Sequence, residues 1–221
     1  MLVFACISPH PPIILPDVGS PSDRKKVEKT IVALESLAPK LAATKPEVII
    51  ISSPHPDWGI NVPLHFLLMA DSKWQIVKDP EAIRHTSYAI YPILTILDSP
   101  RQHYEWGKQL LKGLPPAKRW AWIASGDMSH RLRVDGPYGF HPKGPKFDQK
   151  FIELLKSKDV EGILNLDPNL VEEADECGLR SFCMLLGLLE TAGIPWESEI
   201  LSYEGPFGVG YLVANFKLND D

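Results

Sequence analysis

The stretch Leu2-Val3-Phe4-Ala5-Cys6-Ile7-Ser8-Pro9-His10-Pro11-Pro12 joins a continuous apolar run to a histidine framed by prolines. Such a run is typical of a strand buried on both faces of a sheet. The pattern recurs at Val48–Ser53, which leads into Pro54-His55-Pro56, and at residues 120–124, which lead into Ser125-Gly126-Asp127-Met128-Ser129-His130. Open α/β sheets bind ligands outside the carboxyl ends of their strands. We therefore expect His10, His55 and His130 to converge at one edge of a sheet.

The segment between the first two apolar runs predicts a helix. Apolar residues recur at three- and four-residue steps from Val27 to Leu41, after the helix-start residues Ser20-Pro21-Ser22-Asp23. A strand, a helix and a second strand form a βαβ unit, whose strands run parallel through a right-handed crossover. The chain is therefore predicted to be an α/β protein.

Further elements follow from periodicity and from turn residues. Apolar runs at residues 62–70 and 74–77, separated by Asp71-Ser72-Lys73, predict two strands joined by a tight turn. Helices are expected at residues 101–112, 146–156, 159–164, from Asp167-Pro168 onward, and at 178–192, with final strands at 199–203 and 210–216. The segment 79–100, which contains several prolines, gives no clear pattern.

Composition limits the possible partners and compartments. The 221 residues are 44% hydrophobic with a formal charge of −5, which predicts one domain over residues 1–221. No clustered basic surface is indicated, so nucleic acid is not an expected partner. No apolar stretch reaches the length of a membrane span, and no membrane partner is expected. The start, Met1 to Cys6, has no basic n-region and is too short for the apolar region of a signal peptide, which predicts a cytoplasmic location. The three cysteines are an odd number without metal-type spacing, which favours reduced thiols.

His10 and His55 are candidate ligands of one metal ion. A residue that precedes proline is held in extended backbone, so both rings have few alternative directions. Neutral imidazole suits iron, zinc and copper. The alternative is that each His-Pro pair is an ordinary loop dipeptide with a hydrogen-bonded ring. Two matched instances after two strands favour the metal pair.

His130 lies in a different setting, because no proline flanks it. An imidazole close to an aspartate such as Asp127 suits general acid–base catalysis. The alternative is a capping Asp-x-Ser turn beside a histidine with no role. The position after a buried strand favours the catalytic interpretation.

A third metal ligand is expected within Asp175-Glu176-Cys177, just before the apolar helix at 178–192. A carboxylate there would complete the two-histidine, one-carboxylate arrangement of non-haem Fe(II) oxygenases. Acidic residues at this position also cap a helix and interact with its dipole. The same dipole would lower the pKa of the Cys177 thiol and make a thiolate ligand available. The residues alone leave these alternatives open.

With these motifs in view, the chain resembles the class III extradiol ring-cleavage dioxygenase superfamily, typified by the catalytic beta subunit of protocatechuate dioxygenase. Within it, the chain looks closest to the branch found in AmmeMemoRadiSam system proteins. The resemblance covers nearly the whole chain. It is carried by Ser8-Pro9-His10-Pro11-Pro12, Ser53-Pro54-His55, Gly126-Asp127-Met128-Ser129-His130-Arg131-Leu132, Glu176-Cys177-Gly178-Leu179-Arg180-Ser181 and Tyr203-Glu204-Gly205-Pro206-Phe207-Gly208-Val209-Gly210-Tyr211.

The resemblance implies a single three-layer α/β/α domain with a mixed, largely parallel central sheet. It implies Fe(II), with Zn or Cu as alternatives, held by His10, His55 and a carboxylate carried over to Glu176, and His130 as the acid–base histidine. The expected partners are a small aromatic diol and O2. Related Memo-type proteins instead take a ligand from a Cys-Gly pair like Cys177-Gly178. The second hypothesis is therefore a Memo-like metal-binding protein without ring cleavage that acts in a pathway or complex. With either function, a homo-oligomer or a companion domain on another chain is a further expected partner.

Overall fold

A seven-stranded mixed sheet forms the centre of the protein in a computed structural model that describes residues 1–68 and 71–218. The strands in spatial order are β3-β4-β2-β5-β1-β7-β6. Their bounds are Leu2–Ser8 (β1), Val48–Ser53 (β2), Gln75–Ile76 (β3), Ala89–Leu94 (β4), Trp120–Ser125 (β5), Trp196–Glu204 (β6) and Tyr211–Leu218 (β7).

The direction of the strands places the histidine loops together. β1, β5, β2, β4 and β3 pair in parallel along the sheet, whereas β7 runs antiparallel to both β1 and β6. The predicted mixed, largely parallel sheet is confirmed. β1 and β2 are parallel as expected, but β5 lies between them. The loops after β1, β2 and β5 therefore leave the sheet at the same edge.

In the described part of the chain, helices occupy most of the connections between these strands. A short 3-10 helix at Pro12–Ile14 follows β1, and none of the described helices is long and apolar enough to cross a membrane. The α-helices are Pro21–Lys26 (α1), Glu28–Ala43 (α2), Trp58–Leu68 (α3), Ala82–His85 (α4), Pro100–Gly113 (α5), Lys143–Lys156 (α6), Val160–Leu164 (α7), Pro168–Ala174 (α8) and Leu179–Ala192 (α9).

Alternation along the central strands produces three layers. Val48 and Ile50 of β2 belong to the apolar cluster that contains buried residues of α5, α6 and α9. Ile49 and Ile51 belong to the second cluster, together with buried residues of α2 and α3. Because successive side chains of a strand point to opposite faces, helices cover the sheet on both sides. The α/β/α architecture expected from the family resemblance is confirmed.

The prediction of a strand in the run at residues 62–70 was wrong, because its described residues, 62–68, belong to helix α3, which begins at Trp58. The first turn of α3 is closed by Ile60 and Asn61, whose backbone N–H groups donate to the carbonyl of Asp57. An apolar run of this length fits a buried helix as well as a strand, and packing against α2 decides between them here. Met69 and Ala70, at the end of the predicted strand, lie outside the described residues. In the run at 74–77, only Gln75–Ile76 forms a strand.

Two glycines allow α5 and α9 to pack with their backbones in contact. A Cβ atom added to Gly187 of α9 would lie 2.0 Å from the carbonyl oxygen of Tyr104. A Cβ atom added to Gly107 of α5 would lie 2.0 Å from the carbonyl oxygen of Met184. This reciprocal contact fixes the position of α9, whose first residue follows the Glu176-Cys177-Gly178 turn.

We predict that Gly187→Ala lowers the free energy of unfolding by about 1–3 kcal/mol, because the new methyl group forces two backbones apart. Urea denaturation measures the change. Gly113→Ala, at the end of α5, is the matched control: a Cβ atom there meets nothing within 4 Å. The control is expected to leave stability unchanged or to raise it by up to about 1 kcal/mol through helix propensity. Equal stability of the two variants would contradict the close contact.

Candidate metal centre

His10 and His55 lie side by side at the carboxyl edge of the sheet. Their ring centroids are 5.2 Å apart and the rings are nearly perpendicular, at 81°. His10 is buried, with 4% of its surface exposed, whereas His55 is exposed to solvent. The predicted convergence of the two proline-framed histidines is therefore present in the structure.

Hydrogen bonds hold His10 on several sides. Its backbone N–H donates to Oδ1 of Asp127 at 3.0 Å, and its Nδ1 lies 3.0 Å from Oγ of Ser125. Its Nε2 faces Sγ of Cys177 at 3.6 Å. Burial lowers the pKa of His10 to about 3, and the neighbouring His55 ring adds to the effect. The ring is therefore neutral at physiological pH, which is the form that binds metal ions.

A close approach of two loops brings Cys177 to the histidines. A Cβ atom added to Gly126 would lie 2.2 Å from Cα of Gly178, so the loops meet backbone to backbone. The Gly178 N–H donates to the carbonyl of Asp127 at 3.0 Å, and the Asp127 N–H donates to Sγ of Cys177 at 3.3 Å. The thiol is thus fixed beside the ring of His10.

The possible ligand atoms form two overlapping groups. Among the described residues, the donor atoms of His10, His55 and Cys177 lie within 4.8 Å of one another, and so do those of Asp127, His130 and Cys177. Glu176 belongs to neither group. The structure brings together four of the five residues named as a site by the sequence, and it adds the cysteine that the residues had left as an alternative.

The structure places Glu176 in the capping role considered as the alternative to metal binding. Its Oε2 accepts a hydrogen bond of 2.6 Å from the backbone N–H of Leu179, the first residue of α9. Its Oε1 lies 3.7 Å from Nη1 of Arg180. The side chain lines a separate cavity with Leu164 and Leu166, and burial raises its pKa to about 7.

The expected lowering of the Cys177 pKa is not found. Burial raises the pKa of this thiol well above its usual value, and the nearby carboxylate of Asp127 adds to the rise. Loss of solvation therefore outweighs the field of helix α9. In the absence of a cation, Cys177 is a neutral thiol. A bound metal ion reverses this balance, because it binds the deprotonated sulfur.

Asp127 and His130 form the second half of the site. Asp127 is 6% exposed, and burial raises its pKa to about 6. Burial also lowers the pKa of His130, which Asp127 partly offsets. The ring of His130 stacks on Tyr138 with centroids 5.0 Å apart. A neutral imidazole has one unprotonated ring nitrogen that can accept a proton.

Sequence reasoning missed the residues that support the turn around His130. Asp148 of α6 accepts hydrogen bonds from the Ser129 N–H at 2.8 Å and from the hydroxyl of Tyr203 at 2.5 Å. Burial raises the pKa of Asp148 to about 7. Asp148 lies next to Phe147 and three residues before Phe151, so an ionisable residue occupies the buried face of an amphipathic helix. This position in the apolar pattern of the helix was the feature of the sequence that could have indicated a structural role for Asp148.

A cavity of about 310 Å³ opens beside Asp127 and His130. Apolar and aromatic side chains dominate its wall. Of the described residues, Asp127 and His130 are the only ionisable ones in this wall other than tyrosines. The lining residues are Pro11, Pro12, Ile13, Asp127, His130, Pro137, Tyr138, Phe207, Val209 and Tyr211. A cavity of this size and lining is typical of a small-molecule site.

Known proteins share both the sequence pattern and the fold. Residues 54–214 match the family described as the catalytic LigB subunit of aromatic ring-opening dioxygenase. The matched range includes His55, Asp127, His130 and Cys177, and it begins after His10.

One curated relative is Protein CA_C1420 of Clostridium acetobutylicum, which is 32% identical over 279 residues. The match covers 95% of this chain and 56% of the relative, so the chain spans about half the length of that protein. A solved structure, that of uncharacterized protein JW3007 from Escherichia coli K12, matches 96% of this chain and 99% of its own. Its TM-score is 0.51 at 14% identity, which shows a shared fold.

The family match extends over most of the chain, from the loop after β2 into the last strand. The curated relative extends the likeness to nearly the whole chain. This chain belongs to the family of the catalytic LigB subunit of aromatic ring-opening dioxygenase.

Proposed function

We propose that this protein is a metal-dependent oxidoreductase that binds Fe(II) through His10, His55 and Cys177 and opens the ring of a small aromatic diol with O2. One observation carries the proposal: three donor atoms from three separate loops lie within 4.8 Å of one another beside an aromatic-lined cavity. Family membership supports the reaction type.

The donor set is compatible with a divalent metal ion. Two imidazoles and one thiolate suit iron, zinc or copper, and the exposed side of His55 leaves room for further ligands. Bound Fe(II) would supply the redox chemistry that O2 requires. Glu176 remains the alternative third ligand implied by the family resemblance, although it would have to give up its hydrogen bond to Leu179.

His130 is proposed as the group that moves the substrate proton. It lies in the wall of the cavity, its pKa is lowered by burial, and a carboxyl oxygen of Asp127 lies within 4.8 Å of one of its ring nitrogens. A neutral ring at this position can accept a proton from a hydroxyl group of the diol. The stack on Tyr138 fixes the plane of the ring.

A second candidate function is favoured by the identity of the third donor. The structure groups Cys177, not Glu176, with the two histidines. A Memo-like protein, which binds a metal ion and acts in a complex or with a companion domain without cleaving catechols, would use the same donors. Turnover by the metal-loaded protein distinguishes the two functions.

We predict that Cys177→Ser abolishes stoichiometric Fe(II) binding, whereas Glu176→Gln retains it. Serine is a poor substitute for a thiolate, and glutamine keeps an oxygen that can accept the Leu179 N–H. Anaerobic titration followed by metal analysis measures the binding. Thermal unfolding of the metal-free variants is the control for folding. Loss of metal from Glu176→Gln with retention by Cys177→Ser would identify the glutamate as the ligand.

We also predict that His130→Phe keeps the metal ion but lowers turnover by about 10²–10⁴-fold, the usual contribution of a general acid or base. Phenylalanine preserves a ring that can stack on Tyr138 and removes the proton acceptor. Oxygen uptake with a panel of catechols measures the rate.

The matched control for His130→Phe is His65→Gln, which changes an exposed histidine on helix α3. This control is expected to keep wild-type turnover. A loss below tenfold in His130→Phe would contradict the catalytic role. A metal-loaded wild-type protein that consumes no oxygen with any catechol would favour the Memo-like function.

A further inference from the structure

A proline inside helix α3 leaves one backbone carbonyl without its usual partner. In an α-helix the carbonyl of residue 59 accepts a hydrogen bond from the N–H of residue 63. Residue 63 is proline, which has no N–H, so Gly59 cannot form this bond. Gly59 is buried, and a buried carbonyl requires another donor.

Ser125, the last residue of β5, supplies that donor. Its hydroxyl donates to the carbonyl oxygen of Gly59 at 2.6 Å. The same oxygen, Oγ, lies 3.0 Å from Nδ1 of His10. Ser125 is fully buried, so water does not compete for either contact.

A serine hydroxyl has a single proton, and this determines which way the second hydrogen bond runs. If Ser125 donates to Gly59, its oxygen can only accept at His10, and Nδ1 of His10 must carry a proton. If Ser125 donated to His10 instead, the Gly59 carbonyl would face a hydroxyl oxygen at 2.6 Å with no proton between them. The second arrangement leaves a buried carbonyl without a donor and is disfavoured.

We propose that Ser125 is a positioning residue that holds His10 in the Nδ1–H tautomer and so directs the lone pair of Nε2 toward Cys177. This inference adds a residue to the proposed metal site, and its expected effect on metal affinity rests on the proposed function. Nε2 lies 3.6 Å from Sγ of Cys177, inside the group of candidate ligand atoms. The contacts that run from Pro63 to Gly59, Ser125 and His10 set the tautomer of the ring. The carboxylate of Asp127 does not form a hydrogen bond with Nε2, because its Oδ2 lies 3.8 Å away.

Close packing at Gly59 keeps these hydrogen bonds in place. A Cβ atom added there would lie 1.9 Å from Oγ of Ser53 and 3.1 Å from Cβ of His55. The start of α3 therefore packs closely against Ser53, the last residue of β2, and against His55 in the loop that follows. A hydrogen bond that orients a metal-binding histidine through its other ring nitrogen fixes both the tautomer and the plane of the ring.

The tautomer is measured directly in the metal-free wild-type protein by two-bond ¹H–¹⁵N correlation of the histidine side chains, with His10→Gln used to assign the signal. We expect a protonated Nδ1 and an unprotonated Nε2. In Ser125→Ala the Nδ1–H signal is expected to lose population to the other tautomer. A wild-type His10 that carries its proton on Nε2 overturns the proposal, whether or not Ser125→Ala folds.

Metal affinity provides the second measurement. Ser125→Ala is expected to lower the Fe(II) affinity by about 10–100-fold, the usual effect of removing a residue that orients a metal ligand. The matched control is Ser52→Ala, because Ser52 is an equally buried strand serine whose hydroxyl contacts Ser181 and Trp122. The control is expected to keep wild-type affinity. Equal affinities of the two variants overturn the positioning role.

The two measurements separate this inference from the proposed function. If the wild-type protein binds no metal ion, the proposed function fails, and the tautomer in the metal-free protein still decides the role of Ser125. If the wild type binds metal and His10 has the opposite tautomer, the metal site stands and the inference fails.

Discussion

The contact between Gly126 and Gly178 is the constraint on which the rest of the site depends. No side chain fits between these two backbones, since a Cβ atom on Gly126 would lie 2.2 Å from Cα of Gly178. Hydrogen bonds then join the two loops on either side, from the Gly178 N–H to Asp127 and from the His130 N–H to the carbonyl of Ala174. The contact unites the loop after β5 with the turn before α9, and without it Cys177 would not face the histidines.

Burial gives the site its chemical character, because it favours the uncharged form of each group. It lowers the pKa of His10 to about 3, raises that of Asp127 to about 6, and raises that of the Cys177 thiol. A neutral ring and a neutral thiol carry no charge that would need a counter-ion. A cation that enters must displace the proton of the thiol, so metal binding and proton release are coupled at this site.

The sequence predicts the parts of the site that depend on local pattern. His10 and His55 could be identified because each follows an apolar run and is held by prolines, and the rule for strand ends then brings them together. Glu176 and Cys177 are neighbours in the same turn, so no pattern shows which side chain faces the metal. That choice depends on the left-handed backbone of Asp175, at φ 55°, and on the packing of Gly178.

Helix α3 illustrates the same limit for secondary structure. Its apolar run matches a strand as well as a helix, and Pro63 within it counts against a central position in either. Two contacts stabilise the helix: the carbonyl of Asp57 closes its first turn locally, and α2 packs against it in the tertiary structure. The proline that obscures the prediction is also the residue that frees the Gly59 carbonyl for Ser125. In the local sequence, Pro63 only removes a hydrogen bond from the helix. The compensating donor, Ser125, lies 66 residues from Gly59 along the chain.

His10 and Cys177 are separated by 167 positions in the chain, and this separation determines when a metal ion can be bound. During synthesis, the two histidines emerge long before the cysteine, and they remain without their third donor until helix α9 docks. An ion held by His10, His55 and Cys177 together could therefore bind only to the folded protein. On the proposed ligand set, a metal ion would therefore be acquired only after α9 has docked, from the ions that are available at that time.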